Sequence, residues 1–306
     1  MSFEANSLKI WLQAARLRTL PLSFSGIIAG AALALSEGVF NIYIGVLSLW
    51  CTLLFQVISN FANDYGDGLK GTDNDQRIGP KRVLQSGLLA ASQLKRGIVF
   101  LSVVAVFSVL LLLTVSFGIS NWPYFLLFFV LGIASIWSAI RYTVGASAYG
   151  YKGLGDLFVF LFFGLLSVLG SKFLYTLHIS LSDIFPALVI GSLSVSVLNL
   201  NNLRDHENDR LSDKNTLVVK LGYKWGKRYH MLLFFLAFLA SLGTAYFSFE
   251  SSLNLLPLLV FIPLLFHLIK VSKTTSPSLL DPELKKVALL TFLWSIFFLI
   301  GSNYLL

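Results

Sequence analysis

Asn60-Phe61-Ala62-Asn63-Asp64-Tyr65-Gly66-Asp67-Gly68-Leu69-Lys70-Gly71-Thr72-Asp73-Asn74-Asp75-Gln76-Arg77-Ile78-Gly79-Pro80-Lys81-Arg82 is the stretch on which the reading of this chain turns. It holds four of the chain's fifteen carboxylates, Asp64, Asp67, Asp73 and Asp75, and follows directly on an apolar run over residues 42–58. If the apolar helix continues a turn past Asn60, then Asn60 and Asp64 share one face, as do Asn63 and Asp67, because residues four apart stack along a helix. Gly66, Gly68 and Gly71 then interrupt the helix and let the backbone turn tightly. Lys70, Arg77, Lys81 and Arg82 follow. Oxygen ligands beside bases on one loop suit a hard cation carrying a phosphate: the carboxylates hold the cation and the bases take the remaining anionic oxygens. A solvated loop between two helices is the plain alternative.

Working outward, the rest of the chain is lipid-soluble. Of 306 residues, 56% are hydrophobic and 12% charged, with mean hydropathy +0.77; soluble domains carry about 25% charged residues. Apolar runs long enough to cross a ~30 Å hydrocarbon core recur along the whole length. Backbone groups in lipid must be bonded internally, and the runs do not alternate as barrel strands do, so the spans are helices. The expected fold is an all-α polytopic membrane protein with nine spans, at about 20–35, 42–61, 98–117, 123–140, 157–177, 184–203, 229–247, 253–269 and 287–304. Residues 1–20 form a short basic, amphipathic lead suited to the membrane surface. Ala32-Leu33-Ala34 resembles a signal-peptide cleavage site, but the apolar run continues to Leu35, begins at Pro21 and follows a long polar lead, so no cleavage is expected.

On that map 22 of the 23 Lys and Arg residues fall on one side, the side of the N-terminus, and Lys172 is the exception, inside the fifth span. The positive-inside rule puts the N-terminus and the basic loops in the cytoplasm and the C-terminus on the opposite side. The net charge of +8 is therefore an orientation signal and calls for no nucleic-acid partner. Cys51 is alone and sits in an apolar run, which excludes an intrachain disulfide. The four histidines are scattered, without zinc spacing, and no nucleotide-binding signature occurs.

A second polar stretch, Asn199 to Gly222, begins where the sixth span ends. Asn201 and Asp205 are four apart, as are Asp205, Asp209 and Asp213, so a helix would carry them as one oxygen-rich stripe flanked by Arg204 and Lys214. One such spacing is weak evidence. Two Asn/Asp stripes at the same depth and on the same face are stronger, because like charges brought together repel unless a cation sits between them. A shared Mg²⁺–phosphate site is the expectation. The polar loops, residues 60–96 and 199–228, lie four spans apart and both end in a basic, Gly-containing entry to the next span. This suggests two four-helix halves plus a ninth helix, all in a single domain over residues 1–306, with the site between the halves.

The two stretches resemble the paired aspartate-rich motifs of the UbiA superfamily of intramembrane prenyltransferases. Within it, Asp64-Tyr65-Gly66-Asp67-Gly68-Leu69-Lys70-Gly71-Thr72-Asp73, Arg77-Ile78-Gly79-Pro80, Asn201-Asn202-Leu203-Arg204-Asp205 with Asp209, and Lys214-Asn215-Thr216-Leu217 resemble the 1,4-dihydroxy-2-naphthoate polyprenyltransferase (MenA) branch. Residues 151–164, with Gly153-Leu154-Gly155-Asp156, do so too. The resemblance departs at Gly71: the general pattern has an acid there, and this chain has it at Asp73. It implies a UbiA-like bundle and Mg²⁺-dependent transfer of a polyprenyl group from a polyprenyl diphosphate to 1,4-dihydroxy-2-naphthoate, with release of diphosphate and CO₂. The product would be demethylmenaquinol, on the way to menaquinone, in the cell inner membrane. It further implies Asp64, Asp67, Asp205 and Asp209, helped by Asp73, as the catalytic Mg²⁺ ligands. Asn63, Lys70, Arg77, Arg82, Arg204 and Lys214 would serve the diphosphate. Arg141, Tyr142, Tyr149, Lys152 and Asp156 would serve the acceptor, although Tyr and Lys at such positions also act as interfacial anchors.

Two rival readings remain open at this point. A sibling enzyme with another aromatic acceptor, such as 4-hydroxybenzoate, keeps the same motifs. A cation transporter would also use intramembrane carboxylates, but transport sites lie near the bilayer midplane, whereas these acids cluster at span ends.

Overall fold

The computed structural model describes residues 2–75, 77–118, 120–248 and 251–303. Among these residues there is no strand, and nine helices are long and apolar enough to cross a membrane. The N-terminal lead forms helix α1 (Ser2–Ala15), separated from α2 (Leu20–Ser36) by a kink at Arg16, whose backbone is left-handed at φ 48°. Then come α3 (Ile42–Leu69), α4 (Ala91–Phe117), α5 (Trp122–Arg141) and α6 (Gly155–Thr176). After them follow α7 (Ile184–Leu211), the short α8 (Leu217–Leu221), α9 (Tyr223–Phe247), α10 (Ser252–Lys273) and α11 (Pro277–Ser302). The expected count of nine spans is met. The ninth was expected to reach Tyr304, which lies outside the described residues.

Two departures position the site. First, α3 and α7 run well past the apolar limits, to Leu69 and Leu211. Each therefore carries its acid stripe as a helical extension of a membrane span. Second, α6 opens into a π-helix over Phe160–Gly170. That segment is wedged between α2 and α7 at close range. A Cβ on Gly30 would stand 2.5 Å from the Val168 carbonyl oxygen, and one on Gly164 would stand 2.6 Å from Gly191 Cα. Gly26 and Gly30 are thus a small-xxx-small face that lets backbones touch, the means by which helices pack where lipid offers no hydrophobic drive.

The core divides into three apolar clusters. One joins α2, α6, α7, α9, α10 and α11 around Trp294 and Phe298; a second joins α1, α3, α4 and α5; a third joins α2, α3, α4 and α6 toward the end away from the basic loops. α2 also packs along α11, and Asn303 Nδ2 donates to the Ala32 carbonyl at 3.3 Å, so the first and last spans close the bundle. Lys172, the lysine that the charge map left within a span, is fully buried between Glu37 Oε1 (2.5 Å) and Asp183 Oδ2 (2.6 Å). Its charge is neutralised in place.

Candidate functional site

The helical extensions of α3 and α7 face each other across the basic end of the bundle. Asp64, Asp67, Asp73, Asp205 and Asp209 are all buried, Asp64 and Asp209 to 1% exposure. Burying carboxylates costs several kcal/mol each unless they are compensated, and the compensation is visible. Arg16 pairs with Asp64, and Arg82 stands 3.7 Å from Asp64 and 3.8 Å from Asp73. Arg77 stands 3.1 Å from Asp73 and 3.8 Å from Asp205. Arg204 forks onto Asp205 at 2.6 and 2.9 Å, and reaches Asp281 at 2.5 Å and Asn201 at 2.7 Å. Lys214 lies 3.3 Å from Asp67 and 3.9 Å from Asp209. The two motifs are clamped together: Asn208 on α7 donates to the Thr72 carbonyl at 2.8 Å, and the Tyr151 hydroxyl donates to Asp67 at 2.7 Å while accepting from Thr72 at 2.6 Å.

The loop groups titrate accordingly. Burial pushes the Asp73 carboxyl above its usual range, against the pull of Arg82. Burial brings Arg82 down to about 10, with Arg77 repelling it further. Burial also works against the Lys214 charge, but Asp67 and Asp209 outweigh it and hold the ammonium above the ordinary lysine value. Lys70 is exposed, stands 3.8 Å over the Tyr151 ring, and is lowered by partial desolvation.

A divalent cation suits this donor set. Every acid offers hard oxygen, and Asn63 Oδ1, Asp73 Oδ2 and Asp209 Oδ2 are buried without a hydrogen-bond partner, a state that polar atoms rarely tolerate unless a ligand completes it. As they stand, no three acidic or imidazole groups among the described residues converge on one point; the basic side chains lie between them. Chemically the site fits Mg²⁺. Arg16, Arg82 and Lys214 hold the positions of positive charge.

Apart from Asp64, which lines a smaller neighbouring pocket with Arg16, Lys81 and Arg82, these groups form the polar mouth of a cavity of about 580 Å³. Arg16, Asn63, Asp67, Asp73, Arg77, Arg82, Asn201, Arg204, Asp205, Asp209 and Lys214 line it at the basic end, and it continues between α2, α3, α4, α5 and α6 along Phe55, Leu112, Leu113, Phe128, Phe162 and Leu174. Tyr142 and Tyr149 line its upper wall, in edge contact at 5.3 Å, and Tyr149 stacks on Phe158 at 4.0 Å.

Not every expected residue comes to the cavity. Arg141 turns to Ser147, Lys152 is exposed with its carbonyl held by Lys220 at 2.6 Å, and Asp156 is buried with Oδ1 unpaired; none of the three lines the cavity. Asp213 leaves the α7 stripe because the helix stops at Leu211 and Asp213 is left-handed at φ 54°. Asn60 looks away, donating to the Ala15 carbonyl at 2.8 Å and so tying down the α1–α2 kink. Conversely, Arg16 and Asp281 belong to the site, and sequence spacing does not reach them: they lie 48 residues before Asp64 and 76 after Asp205.

A model of the UbiA prenyltransferase family matches residues 23–296. Over 297 residues the chain is 42% identical to a 1,4-dihydroxy-2-naphthoate octaprenyltransferase of Haemophilus influenzae, covering 96% of both chains. Over 223 residues it is 45% identical to the Escherichia coli protein of that name, covering 73% of this chain and 72% of the other. A UbiA homolog from Archaeoglobus fulgidus, solved bound to DMAPP and Mg²⁺, superposes with a TM-score of 0.63 at 14% identity, covering 94% of this chain and 98% of that one. At that identity the likeness is one of fold.

Proposed function

The chain belongs to the UbiA prenyltransferase family, and from that premise we propose that it transfers a polyprenyl group from a polyprenyl diphosphate to 1,4-dihydroxy-2-naphthoate. Diphosphate and CO₂ would leave, giving demethylmenaquinol for menaquinone synthesis. One observation carries the reading: a mouth of buried acids and bases opens into an apolar channel. A polyprenyl diphosphate has that same division between an ionic head and a hydrocarbon tail. Relatives that are named 1,4-dihydroxy-2-naphthoate octaprenyltransferase favour this acceptor. The basic loops would face the cytoplasm of a cell inner membrane, and the one-sided distribution of Lys and Arg supports that orientation.

In this mechanism Asp64, Asp67, Asp73, Asp205 and Asp209, with Asn63, would hold Mg²⁺. When bound, it supplies positive charge against which the diphosphate leaves. Arg16, Arg77, Arg82, Arg204 and Lys214 would exchange part of their contact with the acids for the phosphate oxygens, in charge-assisted hydrogen bonds. The allylic carbon–oxygen bond breaks with its electron pair on diphosphate. Tyr142, Tyr149 and Phe158 present aromatic edges and faces near the mouth, where π density steadies a developing carbocation and water is kept out. A ring carbon of the acceptor forms the new carbon–carbon bond. Net exchange of carboxylate for prenyl releases CO₂ and needs no net proton acceptor, so the reaction does not require Asp156 in the cavity.

The test is a membrane assay with labelled polyprenyl diphosphate and Mg²⁺, offering 1,4-dihydroxy-2-naphthoate and 4-hydroxybenzoate separately. A prenylated naphthoquinol, absent with EDTA, is the expected product. Product from 4-hydroxybenzoate alone would reassign the acceptor, and no product from either in folded protein would overturn the reading.

A further inference from the structure

Two of the four histidines, 37 residues apart in sequence, meet behind the second polar motif. His230 on α9 and His267 on α10 are each 1% exposed, and their Nε2 atoms stand 2.9 Å apart. His267 Nδ1 stands 2.6 Å from Oε2 of Glu283 on α11, which is buried to the same degree. Lys270 donates to the other Glu283 oxygen at 2.8 Å, and Lys286 stands 3.4 Å from Oε2. One assignment of protons satisfies this chain: His267 donates from Nδ1 to Glu283 and accepts at Nε2 from His230 Nε2–H. It leaves His230 Nδ1 as a bare acceptor, and that atom is buried without a hydrogen-bond partner. Polar side chains are costly to bury even when they are bonded to one another, and no step of prenyl transfer uses these.

The chain ends within a turn of the site. Asp281 and Glu283 lie two residues apart where the α-helical part of α11 begins, about 200° apart around its axis, so they face opposite ways. Glu283 turns to α10. Asp281 turns to α7 and reaches Arg204 Nη1 at 2.5 Å, while Arg204 forks onto Asp205 and holds Asn201. The Asp281 side chain is 41% exposed and that of Arg204 3%. An exposed carboxylate gains little from an ion pair unless its position is fixed beforehand, because ordering it costs entropy. Here Glu283 fixes the backbone from the far side. On α9, the Gly226 carbonyl accepts from Asn199 Nδ2 of α7 at 3.0 Å. Polar bonds therefore pass from α7 to α9, α10 and α11 and return to α7 at Arg204.

From this ring we propose that His267 is a positioning residue for prenyl transfer: through Glu283 it sets the start of α11, hence Asp281, hence the direction in which Arg204 presents its guanidinium to the diphosphate. The proposal rests on the prenyl-transfer reading above. His230 supports it by selecting the tautomer. With His267 Nε2 occupied by the His230 N–H, the His267 proton stays on Nδ1, where Glu283 accepts it.

The experiment uses full-length purified enzyme in lipid nanodiscs, with saturating acceptor and Mg²⁺ and one polyprenyl diphosphate as varied donor. The variants are His267→Gln, His267→Asn, Asp281→Ala and the double His267→Gln/Asp281→Ala. A Gln amide falls near the Nε2 position and loses Glu283; an Asn amide falls near Nδ1 and keeps it. Donor kcat/KM should fall about tenfold in His267→Gln and about tenfold in Asp281→Ala, and the double variant should fall about tenfold too, because substitutions along one route do not add. His267→Asn should recover most of the loss, and the acceptor KM at saturating donor should stay at the wild-type value in all four. A double variant reduced about a hundredfold would show independent effects, and the proposal falls. It falls equally if folded His267→Gln keeps the wild-type donor kcat/KM. Should His267→Gln not fold, His267→Phe replaces it in the same cycle and is read the same way. If the wild type turns over no donor, the functional reading itself has failed, and this assignment with it.

Discussion

Lys214 Nζ stands 3.3 Å from Asp67 Oδ2, joining the two polar motifs across 147 residues of sequence. Asp67 and Asp209 both lean on this one ammonium. Truncating one partner of a buried charge pair leaves the others uncompensated, at a cost of about 2 kcal/mol or more. Lys214→Met should therefore lower kcat/KM for the prenyl donor by roughly 30-fold, and Lys214→Arg should recover part of it. Steady-state kinetics in membranes would check this, and an unimpaired Lys214→Met enzyme would remove Lys214 from the diphosphate site.

Asp64→Asn and Asp205→Asn keep shape while deleting charge on each of the two motifs. Both should abolish turnover yet leave monodisperse, folded protein in detergent. Near-normal rates in both variants would contradict the shared cation site.

Arg16 sits where a cation would serve Asp64. Removing it has two effects of opposite sign. Arg16→Ala should lower the Mg²⁺ concentration needed for half-maximal rate, because a competitor is gone, and raise the KM for donor, because a phosphate ligand is gone. Titrations of each against the other at saturation separate the two effects. A parallel fall or rise in both would contradict this exchange.

Lys172 is buried between two carboxylates at the end of the bundle remote from the site. Lys172→Met should cost about 3 kcal/mol of stability by leaving Glu37 and Asp183 uncompensated, while an additional Asp183→Asn substitution restores part of it. Thermal unfolding in detergent reads this directly, and an unchanged midpoint would mean that water already reaches the pair.

Much of this was legible in the sequence, for physical reasons. Fixed helical spacing predicted that Asp64, Asp67, Asp205 and Asp209 would share a polar end, and the apolar runs counted the spans, with the placement of lysine and arginine in support. What escaped depended on where helices stop and how loops fold. The end of α7 at Leu211 removed Asp213, and the fold of residues 142–154 turned Tyr142 and Tyr149 inward but left Arg141 and Lys152 away from the cavity. Arg16 was invisible as a site residue because its partner comes from another helix, and its local sequence reads equally well as a topology signal. The π-helical opening of α6 lies where the segment packs closely against Gly30 and Gly191, a tertiary contact that no local propensity encodes.

The contact between α2 and α11, with Asp281 reaching back to Arg204, has a consequence for biogenesis. The first span to enter the bilayer packs on α3, α6 and α7, but cannot complete its packing until the last span has been synthesised. A nascent chain halted before α11 presents the α2 face to lipid and leaves Arg204 without one of its acids. Closure of the bundle, and the full compensation of Arg204, therefore arrive only at the end of translation.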